Sequence, residues 1–362
     1  MLLHAPFNRY TGYGNDGVDM AVQFEKMGVD VVPLPTQIAP GLPQEFTDLL
    51  TKTPEGSFDM EVMFGPPFDI DPAKFTGEAR VQVGWSMWER TPLRRADFHW
   101  HGWEDLQDRE RFWGKSRKPV TSRRKDHLDL MVVTCPDNVD AFQALDDGVP
   151  YAVVPNGIDP ERWPVLDRSW DRPFTFASVG VLNGRKDPFA TIDAWKLAKI
   201  MDPDFDARLI MKTVGPGLHP KLADVVPDLV IINEVWSQED LLGFYSQVDC
   251  YVSTSRGEGN NKPAMEFMST GGPVMAPMWG GHVNWLHPDS GYVLPGELVE
   301  DPLTGTSDYR VSIEATALTF LDVWRDREGA RRKGAVAADR IRADLSWEKV
   351  CERFLRSVTR VM

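Results

Sequence analysis

The chain is poor in cysteine and in positive charge, and it lacks a long apolar run. Three cysteines, Cys135, Cys250 and Cys351, are spread over 362 residues with no metal-ligand spacing. That excludes a cysteine-ligated metal site and reads as buried thiols in a reducing compartment. No stretch is apolar for long enough to cross a bilayer. The opening residues, MLLHAPFNRYTGYG, hold too few apolar residues in a row for a signal peptide. The expectation is a cytoplasmic protein. Lysine and arginine number 40 against 54 aspartates and glutamates, a net charge of −14 and a pI near 5.0. This argues against a nucleic-acid partner, which needs a basic face, and against a permanent seat on anionic lipid. No internal repeat or low-complexity tract is evident.

What is there is ordinary globular material, 42% hydrophobic, in a length that suits two domains of about 150 to 200 residues each. Strand and helix patterns alternate from the start. Met1–Pro6, Val29–Leu34, Phe58–Phe64, Arg80–Trp85, Leu128–Thr134 and Tyr151–Pro155 read as strands. A loop with Gly12, Tyr13, Gly14 and Gly17 follows the first, then a helix near Val18–Met27. Residues 35–57 surround a short helix. Residues 88–126 are polar, aromatic and charged and read as helices and loops. Around Asn156–Gly157 and Pro160, Pro164 and Pro173 the pattern breaks, which marks a linker over 161–173. Alternation then resumes with strands at Phe174–Val179, Arg208–Lys212, Leu229–Ile232 and Cys250–Ser253. Helices are expected at Asp187–Ile200, Gln238–Val248 and Trp347–Arg360. Such alternation means an α/β chain with parallel sheets covered on both faces.

One stretch organises the second half, YVSTSRGEGNNKPAMEFMSTGGPVMA, residues 251–276. An apolar strand leads into a loop with Gly257, Gly259, Asn260, Asn261 and Lys262. Pro263 then suits the first position of a helix, and Gly271–Gly272 stops it before the next strand. Loops at the carboxyl ends of parallel strands are where open α/β sheets bind ligands. Glu258 lies in this loop and Glu266 in the helix that follows. The unpaired N–H groups of a helix start favour phosphate, and a nearby carboxylate accepts bonds from vicinal hydroxyls. Phosphate and hydroxyls in one place suggest a nucleotide sugar. Glu266 also interrupts apolar neighbours (Ala264, Met265, Phe267, Met268), so it needs a partner.

This stretch resembles the donor-binding segment of retaining glycosyltransferases of the GT-B fold, in the large family numbered four. The family pattern is roughly E-G-F-G-x-P-x-x-E-A-M-A-x-G-x-P-V, and here the chain reads EGNNKPAMEFMSTGGPV. Both glutamates, the first glycine, the proline and the closing G-x-P-V match. Asn260 and Asn261 replace the usual Phe-Gly. The segment VVPNGIDPERW also resembles the family's linker-proximal pattern. The resemblance implies two Rossmann-like domains with parallel sheets facing a central cleft. The first, 1–160, would bind the acceptor and the second, 174–346, the nucleotide sugar, with the helix 347–362 packed back on the first. It further implies Glu258 near the hydroxyls of the transferred sugar and Glu266 on the ribose.

Other segments bear on the same reading. In VGVLNGRKD, residues 179–187, Gly180 allows a tight turn after a strand. Arg185 and Lys186 follow, where cations would stabilise a departing diphosphate. Lys186 matches the family lysine of G-R-x-x-x-x-K-G, whereas Val181 stands in place of its arginine, a gap that Arg185 is expected to fill in part. The loop carrying Gly12 and Gly14 resembles the family's glycine loop over the donor. In VGWSMWERTPLRRADFHW, residues 83–100, Trp88 stands where many relatives have a histidine. Glu89 beside it either orients a substrate or is an ion-paired structural residue, and Trp88 either packs on a sugar or is core. Trp236 either stacks on the base or is simply buried. Gly280 and Gly281 resemble glycines that bring backbone close to the sugar. Arg94–Arg95 and Arg123–Arg124–Lys125 read as solvated clusters, and His99 and His101 as surface histidines. The pairs Asp69/Asp71, Asp202/Asp204 and Asp204/Asp206 read as turn residues rather than metal ligands.

The expectation is therefore a metal-independent retaining transferase without a cofactor. It would take an NDP-sugar, UDP- or GDP-linked, and pass the sugar to an acceptor hydroxyl on a saccharide, lipid-linked glycan, metabolite or protein. Lys186, Glu258 and Glu89 are the candidate catalytic residues. Gly12, Gly14, Gly180, Arg185, Lys186, Trp236, Glu258, Gly259, Asn260, Asn261, Lys262 and Glu266 are the candidate donor contacts. The alternatives are a sugar-nucleotide epimerase or phosphorylase of the same fold, or a degenerate protein that binds a nucleotide sugar without turning it over.

Overall fold

The computed structural model describes residues 1–89, 91–93, 128–143, 148–169, 172–215, 218–303 and 305–362. The basic clusters at 94–95 and 123–125, the histidines at 99 and 101, and most of the 88–126 run lie outside them. The chain divides into two compact units. One is Met1–Gly157 with Leu345–Met362, and the other is Ile158–Asp344.

The first unit holds β1 (Leu2–Phe7), β2 (Val32–Ile38), β3 (Phe58–Phe64), β4 (Ala79–Ser86), β5 (Leu130–Val133) and β6 (Tyr151–Val153). They form one sheet in the order β2-β1-β3-β4-β5-β6, every pair parallel. Val62, Phe64, Val83 and Trp85 fill one side of its core together with Phe24 of the first helix. The C-terminal helix, Trp347–Thr359, completes that core. Its apolar residues 347, 350, 351, 354 and 358 recur at helical spacing and so share one face. Phe354 stacks on Trp85 with ring centroids 4.8 Å apart and planes 9° from parallel.

Gly12 and Gly14 do not lie in a loop. The first helix runs from Gly12 to Lys26 and starts there because Thr11 caps it, its hydroxyl accepting from the Gly14 N–H at 3.0 Å. Asn8 in turn accepts from the backbone N–H groups of Tyr10 and Thr11. A Cβ on Gly14 would sit 2.3 Å from the Asn8 side chain, so packing already demands glycine there.

The second unit contains β7 (Phe174–Gly180), β8 (Ala207–Thr213), β9 (Leu229–Asn233), β10 (Cys250–Val252), β11 (Val274–Ala276) and β12 (Gly291–Val293). Its order is β12-β11-β10-β7-β8-β9, again all parallel. Read from the other edge this is the doubly wound arrangement, with its switch point between β7 and β10. Part of the segment expected as a linker is anchored to this unit. Arg168 is buried and donates to the carbonyls of Val248 and Thr270, at 3.1 and 2.6 Å, and to the Thr270 hydroxyl at 2.6 Å. A buried guanidinium needs such acceptors, and the helix ending at Thr270 supplies two of them. The antiparallel hairpin β13 (Gly296–Asp301) and β14 (Thr306–Val311) and the helices Ile313–Arg325 and Arg327–Leu345 follow. All three cysteines are free and buried. Among the described residues no helix is long and apolar enough to cross a membrane.

Phe354→Ala should lower the unfolding free energy by about 3–5 kcal/mol, since it removes a ring stacked in a closed core. Urea denaturation followed by tryptophan fluorescence measures this, and an unchanged midpoint would show that the C-terminal helix does not seal the first unit.

Candidate functional site

The switch point brings two connections together at the carboxyl edge of the second sheet. The first is the turn after β7. Gly180 there has a φ of +142°, a conformation open to glycine. The Asn183 side chain accepts from the N–H groups of Arg185 and Lys186 and so fixes the single 3-10 turn that presents both cations. The second is the loop after β10. Arg256 N–H donates to the Arg185 carbonyl at 2.8 Å, and the Thr254 hydroxyl donates to the Asp187 carbonyl at 2.7 Å. The two connections are thus stapled by one backbone bond and one hydroxyl bond before any charge is considered.

Glu258 is the focus. Its side chain is 4% exposed. Oε2 lies 3.0 Å from an Arg185 guanidinium nitrogen, and Oε1 accepts from Lys186 Nζ. Burial by itself would raise this carboxyl, but Lys186, Arg185 and to a lesser degree His282 outweigh it and hold the pKa down to about 2. Lys186 Nζ also lies 3.4 Å from Asn261 Oδ1. The Asn261 amide nitrogen reaches Ser253 Oγ and His282 Nε2, each at 3.0 Å. His282 is fully enclosed, and burial pushes its pKa down to about 4 despite the opposing pull of Glu258.

The helix Lys262–Ser269 starts from Asn261, whose φ of +57° is left-handed, a conformation asparagine tolerates better than most residues. Pro263 occupies its first turn. The next connection presses on this loop from the other side. A Cβ on Gly280 would lie 2.9 Å from the Glu258 carbonyl oxygen, and one on Gly281 only 2.2 Å from that of Gly259. Only glycine permits the Gly281 N–H to reach the Glu258 carbonyl at 2.7 Å. Trp285 Nε1 donates to the Asn260 carbonyl at 2.9 Å. The Asn260 side chain is buried, and both its amide atoms lack a hydrogen-bond partner among the described residues.

The candidate residues therefore fall into several groups. Gly180, Arg185, Lys186, Glu258, Gly259, Asn260, Asn261 and Lys262 gather around the switch point. Glu266 is half-buried on the helix beyond, and its charge adds to burial in raising the Tyr245 and Tyr251 hydroxyls. It does not sit on the apolar face, which Ala264, Met265, Phe267 and Met268 form. Trp236 lies after β9, tilted against Phe244 at 5.3 Å and bonded through Nε1 to Glu234 at 2.9 Å. Gly12, Gly14 and Glu89 belong to the first unit. Glu89 is near Tyr13, whose hydroxyl burial and the Glu89 charge both push up. Trp88 packs edge-on against Phe68 at 6.0 Å, and its backbone N–H and carbonyl are both bonded to Asn138. His282 and Ser253 were not singled out by the sequence. The only signal for His282 is its place directly after the paired glycines. Among the described residues, no group of three or more His, Cys, Asp or Glu is gathered as metal ligands would be.

Stability should fall with acid in two stages. A histidine buried neutral binds no proton in the fold until about pH 4 but binds one near 6.5 when unfolded, so its contribution is lost as pH drops through that window. Glu258 is held near 2 against an ordinary 4.5, so its contribution, roughly 3 kcal/mol, disappears between those values. Urea midpoints measured from pH 8 to 2 should show both stages. Glu258→Gln should flatten the lower and His282→Gln the upper, and a single stage that neither variant alters would refute the assignment.

No protein-family model matches the chain, and no curated protein matches it in sequence. Solved structures match in three dimensions. Sucrose-phosphate synthase from Thermosynechococcus elongatus is 13% identical with a TM-score of 0.63, over 99% of this chain and 98% of that one. HepE of Anabaena, in complex with UDP-glucose, is 14% identical with a TM-score of 0.62, over 99% of both chains. TarM of S. aureus, as a G117R mutant in complex with fondaparinux, alpha-GlcNAc-glycerol and UDP, is 14% identical with a TM-score of 0.57, over 82% of this chain. This chain spans only about half of TarM, 54% of its length. At these identities the likeness carries the fold, and the chain has the GT-B fold, two Rossmann-like units with a parallel six-stranded sheet in each.

Proposed function

We propose that the protein is a retaining glycosyltransferase that takes a UDP- or GDP-sugar and passes the sugar to an acceptor hydroxyl. The observation that carries the reading is the meeting of Arg185, Lys186 and Glu258 at the switch point, directly before the helix Lys262–Ser269. Two cations beside the positive end of a helix suit a diphosphate. A single carboxylate suits the hydroxyls of the sugar attached to it. Likeness to proteins solved with UDP and UDP-glucose supports the same ligand class.

On this reading the donor exchanges partners with the protein. Its phosphates take Lys186 and Arg185, and the released Glu258 turns to the sugar hydroxyls. Arg185 then does the work of the family arginine missing at Val181. Glu266 holds the ribose. The bond from the anomeric carbon to the phosphate oxygen breaks as a bond to the acceptor oxygen forms on the same face. The acceptor proton goes to the departing phosphate. The lysine, the arginine and the helix start carry the leaving group's charge in place of a metal ion. Glu89 in the first unit orients the acceptor.

Nucleoside diphosphate release should be measured over a panel of UDP-, GDP-, ADP- and dTDP-sugars without added metal. One donor should be turned over, and Lys186→Ala should cut its kcat/KM by about 10²–10³, the usual cost of losing one preorganised contact to developing charge. Turnover of no donor would end the proposal, and full activity in the lysine variant would remove Lys186 from the chemistry.

A further inference from the structure

Lys212 is 6% exposed, yet its ammonium has no hydrogen bond or ion pair among the described residues. An ammonium this enclosed, with no partner in the protein, is costly, because its donors lose much of their water. Its ammonium lies over the face of Trp236, with Nζ 5.3 Å from the ring centroid. Burial lowers its pKa, and Glu234 opposes this only in part. Glu234 is itself bonded to the indole N–H of Trp236. The pair therefore fixes the ring and leaves the ammonium's donors unused.

The position of Lys212 gives this a meaning. It lies near the carboxyl end of β8, level with Val179 of β7 and Ile232 of β9. The order along that edge is β10, β7, β8, β9. Glu258 follows β10, Lys186 follows β7, Lys212 closes β8, and Trp236 follows β9. Strands are spaced by about 4.8 Å, so the row covers roughly 14 Å from first to last. An extended nucleoside diphosphate-sugar covers such a span, with its sugar at Glu258 and its diphosphate at Lys186. The base then comes to β8 and β9.

We infer that Lys212 is a base-selecting residue that donates to a ring carbonyl of the nucleotide while the base lies against Trp236. An ammonium has donors and no acceptor. It suits the keto oxygens of uracil, thymine or guanine and opposes the amino group that adenine carries instead. This inference rests on the nucleotide-sugar reading above and adds to it the property by which the base is chosen.

Calorimetric titration of UDP, GDP and ADP into the whole protein and into Lys212→Met tests it. The wild type should prefer UDP or GDP to ADP by about tenfold or more, the worth of one hydrogen bond to a charged group. Lys212→Met should erase that preference by weakening the keto nucleotide alone. It should also raise the Tm, because the methionine replaces a cation that nothing in the fold satisfies. Equal weakening of all three nucleotides would make Lys212 a phosphate contact and overturn the inference. Unchanged affinities, or a lowered Tm, would overturn it as well. A wild type that binds none of the three would bring down the nucleotide-sugar reading itself, whereas a wild type that binds UDP with the variant unaffected removes only the role of Lys212.

Discussion

Everything at the candidate site is arranged by one buried carboxylate between two cations. Glu258 has given up nearly all its water, and the cost of that is met by Lys186 and Arg185 rather than by solvent. The three groups come from connections after two different strands, so their pairing also fixes how those connections lie. Charge here is not decoration on a finished scaffold. Removing Glu258 leaves two cations crowded together, and removing either cation leaves a carboxylate that burial would drive toward protonation.

Backbone geometry makes that pairing possible. Parallel order in the second sheet puts β7 and β10 side by side although helices, β8 and β9 separate them in the chain. Their following loops then leave in adjacent directions, which is why an arginine–lysine turn meets a glutamate many residues away. Gly280 and Gly281 close the arrangement from the far side, where a methyl group would strike carbonyl oxygens of the Glu258 loop. Asn261 joins the layers, because one carboxamide touches Lys186, Ser253 and His282.

Much of this was legible in the sequence, and for identifiable reasons. Strands such as Phe58–Phe64 and the run ending at Val252 are short and largely apolar, and Pro263 with Gly271 and Gly272 punctuates the helix that follows Val252. These are local signals and they survive folding. The turn from Gly180 to Lys186 was legible on the same ground. The start of the first helix at Gly12 was not, since two glycines argue against helix locally and the Thr11 cap and the Asn8 turn override them. Proline density says that regular structure stops, not that the chain comes loose, and the anchoring of Arg168 by carbonyls distant in sequence was not legible. His282 and Lys212 were hidden for a related reason. Each is one polar residue in an unremarkable stretch, and its surroundings exist only after the sheet has formed. The hairpin β13–β14 carries polar and acidic residues on strands of which only Thr306 and Val311 are buried, which leaves little apolar alternation to read.

The three thiols have a use that their chemistry alone would not suggest. Cys135 and Cys351 lie in the first unit and Cys250 at the start of a central strand of the second. Burial raises the pKa of each, Cys135 to about 12. A thiol that is neither exposed nor ionised resists alkylation until the structure around it opens. Each half of the molecule thus carries its own clock for local breathing. The order in which the sulfurs become reactive under mild denaturant reports which half loosens first, with no label introduced and no residue of the carboxylate cluster disturbed.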